Sequence, residues 1–384
     1  MAAGAAPDML KNPINPSKNL SEIRNCAQED IPAVAALFQK TFRNSDASAP
    51  RSLEAYLADS YLDHPRYDRK IASRVHVDEG GRVTGFVGVF PGRFDYRGRT
   101  VHAAIAGTLM VEQPDREPLA GAKLLRSVVK GPQDITISET TNQISQRLWE
   151  PLGGKVVPLL SLDWFRPLRP ASATVATLAE KFPPAALLAP VARASDWVGR
   201  SWTKQSLKTA EPSARVSTSA DVSDSDFASA VLDLAEANEF RPAWDRQDVE
   251  WLLARAARKE RHGSLHRGVV RGRKGDLVGC YLYHAKPGGV GRVLQILARP
   301  GSAGDVLDCL FREANEAGLS GLRGRSSGQL IDALLTRNCF FVHRASTIVH
   351  TADPDLAHAV QNGGALVTGL AGETWTRLIG GNFD

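Results

Sequence analysis

The segment Arg116-Glu117-Pro118-Leu119-Ala120-Gly121 is a loop of small and polar residues that leads into the helical sequence 122–130. The first turn of a helix leaves backbone N–H groups without partners, and the helix dipole makes that end positive. A phosphate group placed there accepts those hydrogen bonds, and Ala120 and Gly121 are small enough to let its oxygens approach the backbone. The segment therefore predicts an anion-binding loop. A plain loop entering an amphipathic helix is the alternative.

A second group of polar residues follows a strand-like run. Glu139 comes directly after the predicted strand 134–138, and Thr140, Thr141 and Asn142 come next. A carboxylate at the end of a strand can take a proton from a nucleophile through water, and the hydroxyl and amide groups can orient a ligand. Glu139 is therefore our candidate catalytic base. A solvated carboxylate that caps a helix is the alternative.

These residues require a defined set of elements to position them. Periodicity and turn residues predict a strand, a helix, a hairpin and then alternating strands and helices. The predicted segments are 22–24, 31–42, 74–77 with 83–90, 103–111, 121–130, 134–138 and 142–150.

The same order of elements recurs in the second half of the chain. The corresponding segments are 215–217, 227–237, 267–270 with 277–284, 292–298, 303–318, 321–325 and 328–337. They lie about 185–195 residues after the first set, so we infer a duplication. The predicted organisation is a flexible N-terminus at 1–20, a first domain at 21–166, a connector rich in Pro and Ala at 167–213 and a second domain at 214–384.

This order resembles the GCN5-related N-acetyltransferase (GNAT) family. Ile23-Arg24 through Asp30-Ile31-Pro32 is similar to the opening strand and helix of that family, and Gly107–Val111 is similar to its central strand. The cofactor loop of the family has Arg or Gln, two residues, Gly, one residue, then Gly or Ala. Arg116 and Gly121 match this pattern, and Leu119 departs from its first Gly. The resemblance implies an α/β fold with mixed sheets and two tandem acyl-CoA N-acyltransferase-like domains.

The resemblance also implies the cofactor, which would be acetyl-CoA or another acyl-CoA acting as co-substrate. In the family, the strand before the loop splays from its neighbour and pairs with the pantetheine arm. A Tyr that protonates the leaving thiolate in many members corresponds here to Trp149, which cannot act as that acid. The implied cofactor-binding residues are Leu109, Met110, Val111, Arg116, Glu117, Pro118, Leu119, Ala120, Gly121, Ala122 and Asn142.

The second half departs further from the family pattern. Its loop, Arg299 to Gly304, is shorter, and either an anion nest or a plain turn fits it. We expect this half to shape either the core or the site for the acceptor, an amine on a small molecule, sugar or peptide.

Two other functions stay open at this point. One is a binding or regulatory protein that kept the fold and lost activity, which Leu119 and Trp149 favour. The other is transfer from aminoacyl-tRNA, as in the Fem-type transferases, for which the basic stretch 255–274 provides some support.

Composition sets the remaining expectations. The net charge of +5 suits a phosphorylated ligand, and nucleic acid is not the favoured partner. No long apolar run predicts a membrane span, and no secretory signal is evident, so we expect a cytoplasmic protein. The two His residues at 262 and 266 lie around Gly263 and Ser264 without a carboxylate, so no metal site is expected. Either a monomer with an internal pseudo-dimer or a homodimer is consistent with the duplication.

Overall fold

The structure is a computed structural model that describes residues 21–114, 117–179, 182–199, 216–219 and 222–383, apart from the side chains of 198 and 199. The first part of the chain alternates strands with amphipathic helices. Its elements are β1 (Glu22–Asn25), α1 (Ile31–Arg43), α2 (Arg51–Tyr61), β2 (Arg74–Val77), β3 (Val83–Tyr96), β4 (Arg99–Val111), α3 (Ala120–Val129), β5 (Ile135–Thr141), α4 (Gln143–Trp149), β6 (Lys155–Val156) and β7 (Leu162–Pro167).

Two helices follow in the connector, and the order of the first part then recurs. The connector holds α5 (Pro170–Ala179) and α6 (Ala189–Gly199). The later elements are β8 (Val216–Ser219), α7 (Asp224–Ala235), β9 (Phe240–Pro242), α8 (Arg246–Ala257), β10 (Ser264–Gly272), β11 (Leu277–Ala285), β12 (Val290–Ala298), α9 (Ala303–Glu316), β13 (Gly321–Arg325), α10 (Ile331–Thr336), β14 (Phe340–His343), β15 (Ser346–Thr351) and α11 (Pro354–Gln361).

The strands form two mixed sheets, which confirms the predicted α/β class. The first sheet has the order β1-β2-β3-β4-β5-β15-β6, with β9 also paired to β3. The second has the order β14-β7-β13-β12-β11-β10-β8. Within the described ranges, β4 with β5 and β12 with β13 are the two parallel strand pairs.

Each sheet contains one interior strand from the other half of the chain, and the first sheet also receives the short strand β9 beside β3. The strand β7, which ends the first half, lies between β13 and β14 in the second sheet. The strand β15, near the end of the second half, lies between β5 and β6 in the first sheet. The predicted boundary near residue 166 therefore separates the two halves along the sequence, whereas these two strands cross between them in space.

The registers of the parallel pairs are consistent with a duplication. In the first sheet Ala103 lies opposite Ile135, and in the second sheet Val290 lies opposite Gly321. The offset is 187 residues between Ala103 and Val290 and 186 between Ile135 and Gly321. Both offsets fall within the interval expected from the sequence.

A shared apolar core joins the two halves. Phe94 on β3 stacks on Phe240 of β9 with ring centroids 4.8 Å apart, and both side chains are buried. Phe90 contacts Trp375, which lies beyond α11, at 5.2 Å. The residues after α11 thus return to the first sheet. Among the described helices, none is both long and apolar enough to cross a lipid bilayer.

Candidate functional site

A cleft opens where β4 and β5 diverge. The two strands pair only from Ala103 to Ile105 and from Ile135 to Ile137, although β4 continues to Val111 and β5 to Thr141. The cleft between their carboxyl ends has a volume of about 330 Å³. In open α/β sheets, ligands bind at the carboxyl ends of parallel strands, so this cleft is the candidate site. Its walls include Gly107, Thr108, Leu109, Thr140, Asn142 and Trp149.

A β-bulge in β4 forms one wall of the cleft. In the register with β3, the single residue Val87 lies opposite both Thr108 and Leu109. Thr108 has a positive φ of 51°, and its hydroxyl oxygen accepts a hydrogen bond of 3.0 Å from the buried Tyr61 hydroxyl. A bulge leaves an extra residue outside the strand ladder. On its other side, this part of β4 is not paired with β5. Its backbone N–H and C=O groups on that side therefore face the open cleft.

The three strand residues predicted to bind the cofactor differ in where their side chains lie. Leu109 lines the cleft. Met110 is buried in the apolar core and pairs with Phe86. Val111 pairs with Gly85 at the end of β4. Any contact of Met110 with a ligand would therefore come from its backbone.

The predicted anion loop lies between β4 and α3, and Arg116 lies outside the described residues. The side chain of Glu117 accepts a hydrogen bond of 3.2 Å from the Thr84 hydroxyl. Pro118 precedes Leu119, whose side chain is 64% exposed. Leu119 thus occupies the position of the first Gly in the cofactor loop of the GNAT family, and its side chain does not pack into the core.

The helix α3 begins at Ala120, one residue earlier than predicted. The N–H of Ala120 donates to the carbonyl of Glu117, and that of Lys123 donates to the carbonyl of Leu119. The described residues offer no acceptor to the amides of Gly121 and Ala122 between them. These two amides are therefore the donors of this turn that a phosphate could use.

The opposite wall of the cleft is built by the start and end of α4. Asn142 caps this helix, since its side chain accepts a hydrogen bond of 2.8 Å from the backbone N–H of Ser145. Trp149 at the other end is buried and lines the cleft. Gly121 lies against this helix, because a Cβ there would be 3.2 Å from Leu148.

Glu139, the predicted base, is fully buried and surrounded by hydrogen-bond donors. Its carboxylate accepts bonds from the backbone N–H groups of Gly369 (2.9 Å), Glu373 (2.8 Å) and Thr374 (3.1 Å). The Thr374 hydroxyl adds a fourth at 3.0 Å. With these donors in place, the geometry favours an anchoring role in which Glu139 fixes the segment 369–374. The assignment of Glu139 as base stays a prediction.

A second carboxylate, Glu373, lines the cleft and was not singled out from the sequence. One of its oxygens, Oε1, accepts hydrogen bonds from the Thr140 hydroxyl (2.6 Å) and the Thr140 backbone N–H (3.2 Å). The other, Oε2, lies so close to Gly107 that a Cβ there would overlap it. Glu373 therefore bridges β4 and β5 at the point where they separate.

The environment of Glu373 raises its pKa to about 7. Burial is the main cause, because the charged carboxylate loses its hydration, and the nearby charge of Glu139 adds to the effect. The hydrogen bonds from Thr140 act in the opposite direction. A carboxyl group with this pKa can exchange protons near neutral pH.

A buried lysine completes this charged cluster. The Nζ of Lys259 donates a hydrogen bond of 2.7 Å to the carbonyl oxygen of Thr374. Burial lowers its pKa to about 8, although the charges of Glu139 and Glu373 act in the opposite direction. Lys259 thus holds the segment that carries Glu373 from the side of the second half.

In the second half, the place equivalent to the cleft is covered by the chain itself. Gly369 packs on the carbonyl oxygen of Leu294 so closely that a Cβ would overlap it. The N–H of Leu370 donates to the side chain of Gln295 at 3.1 Å. These contacts lie just after the residues of β12 that pair with β13. The corresponding position in the first half is the one at which β4 separates from β5. As for metals, no group of three or more His, Cys, Asp and Glu side chains in the described ranges is arranged to bind one.

The structure is similar to several solved structures of low sequence identity. A probable N-acyltransferase of unknown function from Enterococcus faecalis V583 matches with a TM-score of 0.58 and 9% identity, over 90% of this chain and 74% of that one. A GCN5-related N-acetyltransferase from Anabaena variabilis matches with a TM-score of 0.58 and 12% identity, over 87% and 73%. Another from Kribbella flavida matches with a TM-score of 0.51 and 13% identity, over 88% and 73%.

The chain has the GNAT fold. At these identities the likeness establishes the architecture, which agrees with the resemblance found in the sequence. No family model matches the sequence, and no curated protein is detectably similar to it.

Proposed function

We propose that the protein is an N-acyltransferase that moves an acyl group from acyl-CoA to an amine in the cleft between β4 and β5. The observation that carries the proposal is the position of Glu373, a carboxyl group with a pKa of about 7 at the point where the two strands separate. The acyltransferase names among the structural neighbours also support it.

The cleft offers separate contacts for the two parts of an acyl-CoA. The bulged backbone at Thr108 and Leu109 can pair with the amide groups of a pantetheine arm, because neither neighbouring strand uses it fully. The backbone N–H groups of Gly121 and Ala122 can donate hydrogen bonds to the pyrophosphate at the positive end of α3. Leu109 and Trp149 supply apolar walls between them.

Glu373 provides the proton transfer that the reaction requires. An amine attacks a thioester only in its neutral form, so the ammonium proton has to leave before the N–C bond forms. The Glu373 carboxylate accepts that proton, the neutral amine forms the N–C bond, and the C–S bond breaks as the thiolate of CoA leaves. The second proton that the nitrogen loses protonates the thiolate. Trp149 does not supply that last proton, since an indole is not an acid of suitable strength.

Calorimetric titration with CoA tests the binding half of this proposal. We expect Ala122→Glu to weaken CoA binding at least tenfold, because its carboxylate repels phosphate at the N-terminal turn of α3. Ala122→Gln is the matched control, since it has nearly the same size without the charge, and it should retain most of the affinity. Absence of CoA binding by the folded, unsubstituted protein would refute the proposal.

A binding protein without catalytic activity is the second candidate. The buried Trp149 in the cleft favours it, because this residue gives no proton to a leaving thiolate. Such a protein would bind CoA in the same titration but would release no thiol from acetyl-CoA with any amine.

A further inference from the structure

The connector forms a helical hairpin that buries only small side chains. It consists of α5, a 3₁₀ turn at Pro183–Leu188 and α6, which together we call the connector hairpin. Asp196, near the end of α6, accepts hydrogen bonds from the backbone N–H groups of Ala171 (2.9 Å) and Ser172 (2.8 Å) at the start of α5. The two helices therefore run in opposite directions. Among the described residues of the hairpin, the buried ones are Ser172, Ala173, Ala185 and Ala192.

The large apolar side chains of the hairpin lie on its outer surface. Of the thirteen large apolar side chains that are exposed in the described part of the chain, six lie between residues 178 and 197. We call these six the outer apolar face, and their exposed fractions run from 52% to 82%: Leu178, Phe182, Leu187, Leu188, Val191 and Trp197. A hairpin that faced water on this side would have the opposite arrangement, with its large apolar side chains buried. A concentration of exposed apolar side chains indicates that another apolar phase covers it.

The hydroxyl groups of the hairpin are paired within their own helices. Thr174, Thr177 and Ser195 donate to carbonyl oxygens four residues earlier in the chain, at 2.9, 2.8 and 3.0 Å. A protein–protein interface has about one hydrogen bond per 100–200 Å², but these hydroxyl protons are already used. Lipid tails form no hydrogen bonds, so a surface with internally paired polar groups suits them better than it suits a protein partner.

The charges of this region favour a negatively charged surface. The segments 170–179 and 182–192 contain no charged residue, and Arg193, which follows the second segment, is exposed. The carboxylate of Asp196 is directed to the start of α5. Between 170 and 210 the sequence has five basic and two acidic residues: Lys181, Arg193, Arg200, Lys204 and Lys208 against Glu180 and Asp196. Basic residues beside exposed Trp and Leu are typical of segments that lie on anionic membranes.

The helices of the hairpin are too short to cross a bilayer. Helix α5 has 10 residues and α6 has 11. At a rise of 1.5 Å per residue each is about 15 Å long, which is roughly half of the 30 Å hydrocarbon core. The hairpin therefore fits the headgroup region of one leaflet.

We propose that the connector hairpin binds the surface of a membrane that contains anionic lipids. The outer apolar face enters the boundary between headgroups and acyl chains, and Arg193 contacts lipid phosphate. This binding is independent of the proposed acyl transfer, because no residue of the outer apolar face lines the cleft between β4 and β5.

Sedimentation of the full chain with lipid vesicles tests this proposal. The probes are vesicles of phosphatidylcholine alone and vesicles that also contain about 30% phosphatidylglycerol. We expect the anionic vesicles to bind the protein at least tenfold more tightly, and we expect high salt to weaken that binding. Absence of binding to the anionic vesicles by the folded protein would overturn the proposal, whether or not the protein binds CoA.

The double variant Leu187→Gln with Leu188→Gln tests the outer apolar face. These side chains are 82% and 55% exposed, so their replacement should leave the fold intact and weaken vesicle binding at least tenfold. The matched control is Ile144→Gln with Leu335→Gln, since these side chains are 76% and 55% exposed and lie outside the connector. It should bind vesicles as the unsubstituted protein does. Undiminished binding by the folded Leu187→Gln, Leu188→Gln protein would contradict the proposal.

Arg193→Gln tests the electrostatic contact. We expect binding to the anionic vesicles to weaken about fivefold, which is the usual contribution of one basic residue near an anionic surface. Binding to phosphatidylcholine alone should not change. An equal loss on both kinds of vesicle would overturn the assignment of Arg193 to lipid phosphate.

Light scattering distinguishes a membrane from a second copy of the chain. We expect the unsubstituted protein and the Leu187→Gln, Leu188→Gln protein to have the same mass in solution. A mass that fell by half in this variant, together with absence of vesicle binding, would overturn the proposal in favour of a dimer through the outer apolar face.

Discussion

Glu139 and Glu373 are both buried, yet their surroundings differ in the number of hydrogen-bond donors. Glu139 accepts four hydrogen bonds from the segment 369–374, and these bonds tie β5 to that segment. Glu373 accepts two bonds, both from Thr140, and carries the negative charge of Glu139 nearby. The two carboxyl groups are thus suited to different tasks, Glu139 to anchoring and Glu373 to proton transfer.

The first prediction concerns the rate of acyl transfer in Glu373→Gln. We expect kcat to fall about 100-fold or more, since this is the usual contribution of a general base. In the unsubstituted protein the rate should rise with pH through a midpoint near 7, because the base acts in its deprotonated form. Rates with acetyl-CoA and an amine acceptor between pH 5.5 and 8.5 measure both.

Glu79→Gln is the control for this experiment, since Glu79 lies in the exposed turn between β2 and β3. It should retain the rate and the pH profile. A Glu373→Gln protein that kept both the rate and the midpoint would rule out Glu373 as the base.

The second prediction concerns the stability of the same variant. Because the folded state raises the pKa of Glu373 from 4.5 to about 7, the carboxyl group favours folding less as the pH rises from 4.5 to 7. Glutamine stays neutral, so Glu373→Gln should gain stability relative to the unsubstituted protein over this range. The relative gain is about 3 kcal/mol, from 1.36 kcal/mol per unit of pKa. Urea unfolding at pH 5 and pH 8 checks the sign, and a difference independent of pH would contradict it.

At the level of elements, the cleft depends on contacts between β5 and the segment 369–374. The parallel pairing of β4 with β5 ends at Ile105, and the freed end of β5 is held by Glu139 and Thr140 against this segment. A strand that pairs on one side only would otherwise be free to shift. The segment therefore keeps the cleft open and delivers Glu373 into it.

The third prediction is that Glu139→Gln loosens this arrangement. The amide keeps one acceptor oxygen, and its NH₂ group opposes N–H donors, so we expect the free energy of unfolding to fall by about 3 kcal/mol. The pH midpoint of the rate should also move downward, because the charge of Glu139 contributes to the raised pKa of Glu373. Urea unfolding and the pH profile of the rate measure the two effects.

Thr374→Val is the matched control, because it removes one donor to Glu139 and leaves the charge. It should lose about 1 kcal/mol of stability without moving the midpoint. If Glu139→Gln lowered the rate but left the midpoint in place, the carboxylate would have no electrostatic influence on the base.

Much of the secondary structure followed from the sequence because periodicity and turn residues act over short distances. Helix α1 was predicted at 31–42 and runs from Ile31 to Arg43, and β13 was predicted with the bounds it has. The strands of the hairpin β3–β4 are longer than predicted, since their ends pair with each other and with β9. Local patterns do not reveal such partners.

The candidate site was predicted in part, for a related reason. The cleft-lining residues Leu109 and Asn142 lie in local motifs, and the sequence located them. Glu373 lies more than 200 residues farther along the chain, directly after the mostly apolar stretch 364–372, and no motif marks it. A lone acidic residue after such a run was the available signal, because buried carboxyl groups are rare outside paired or functional sites.

At the level of the whole molecule, the exchange of β7 and β15 makes the two sheets interdependent. Removing either half would take a strand from the interior of the remaining sheet and leave two unpaired edges. The shared core across Phe94 and Phe240 adds to this coupling. The halves therefore differ from two domains joined by a simple linker.

The fourth prediction is a single cooperative unfolding transition for the entire chain. Scanning calorimetry should give one endotherm with a ratio of calorimetric to van't Hoff enthalpy near one. A fragment comprising residues 21–166 should fail to show a cooperative transition on its own. Two separate endotherms, or a fragment that melts cooperatively, would contradict this prediction.

The exchange also has a consequence for the order in which the chain is made on the ribosome. The strand β5 ends at Thr141, but its neighbour β15 begins at Ser346. One edge of β5 therefore stays unpaired while some 200 further residues are synthesised. At typical elongation rates this interval is about 10 to 40 s. A nascent first half thus carries an open strand edge for longer than most domains take to fold, and chaperones that shield such edges should raise its yield.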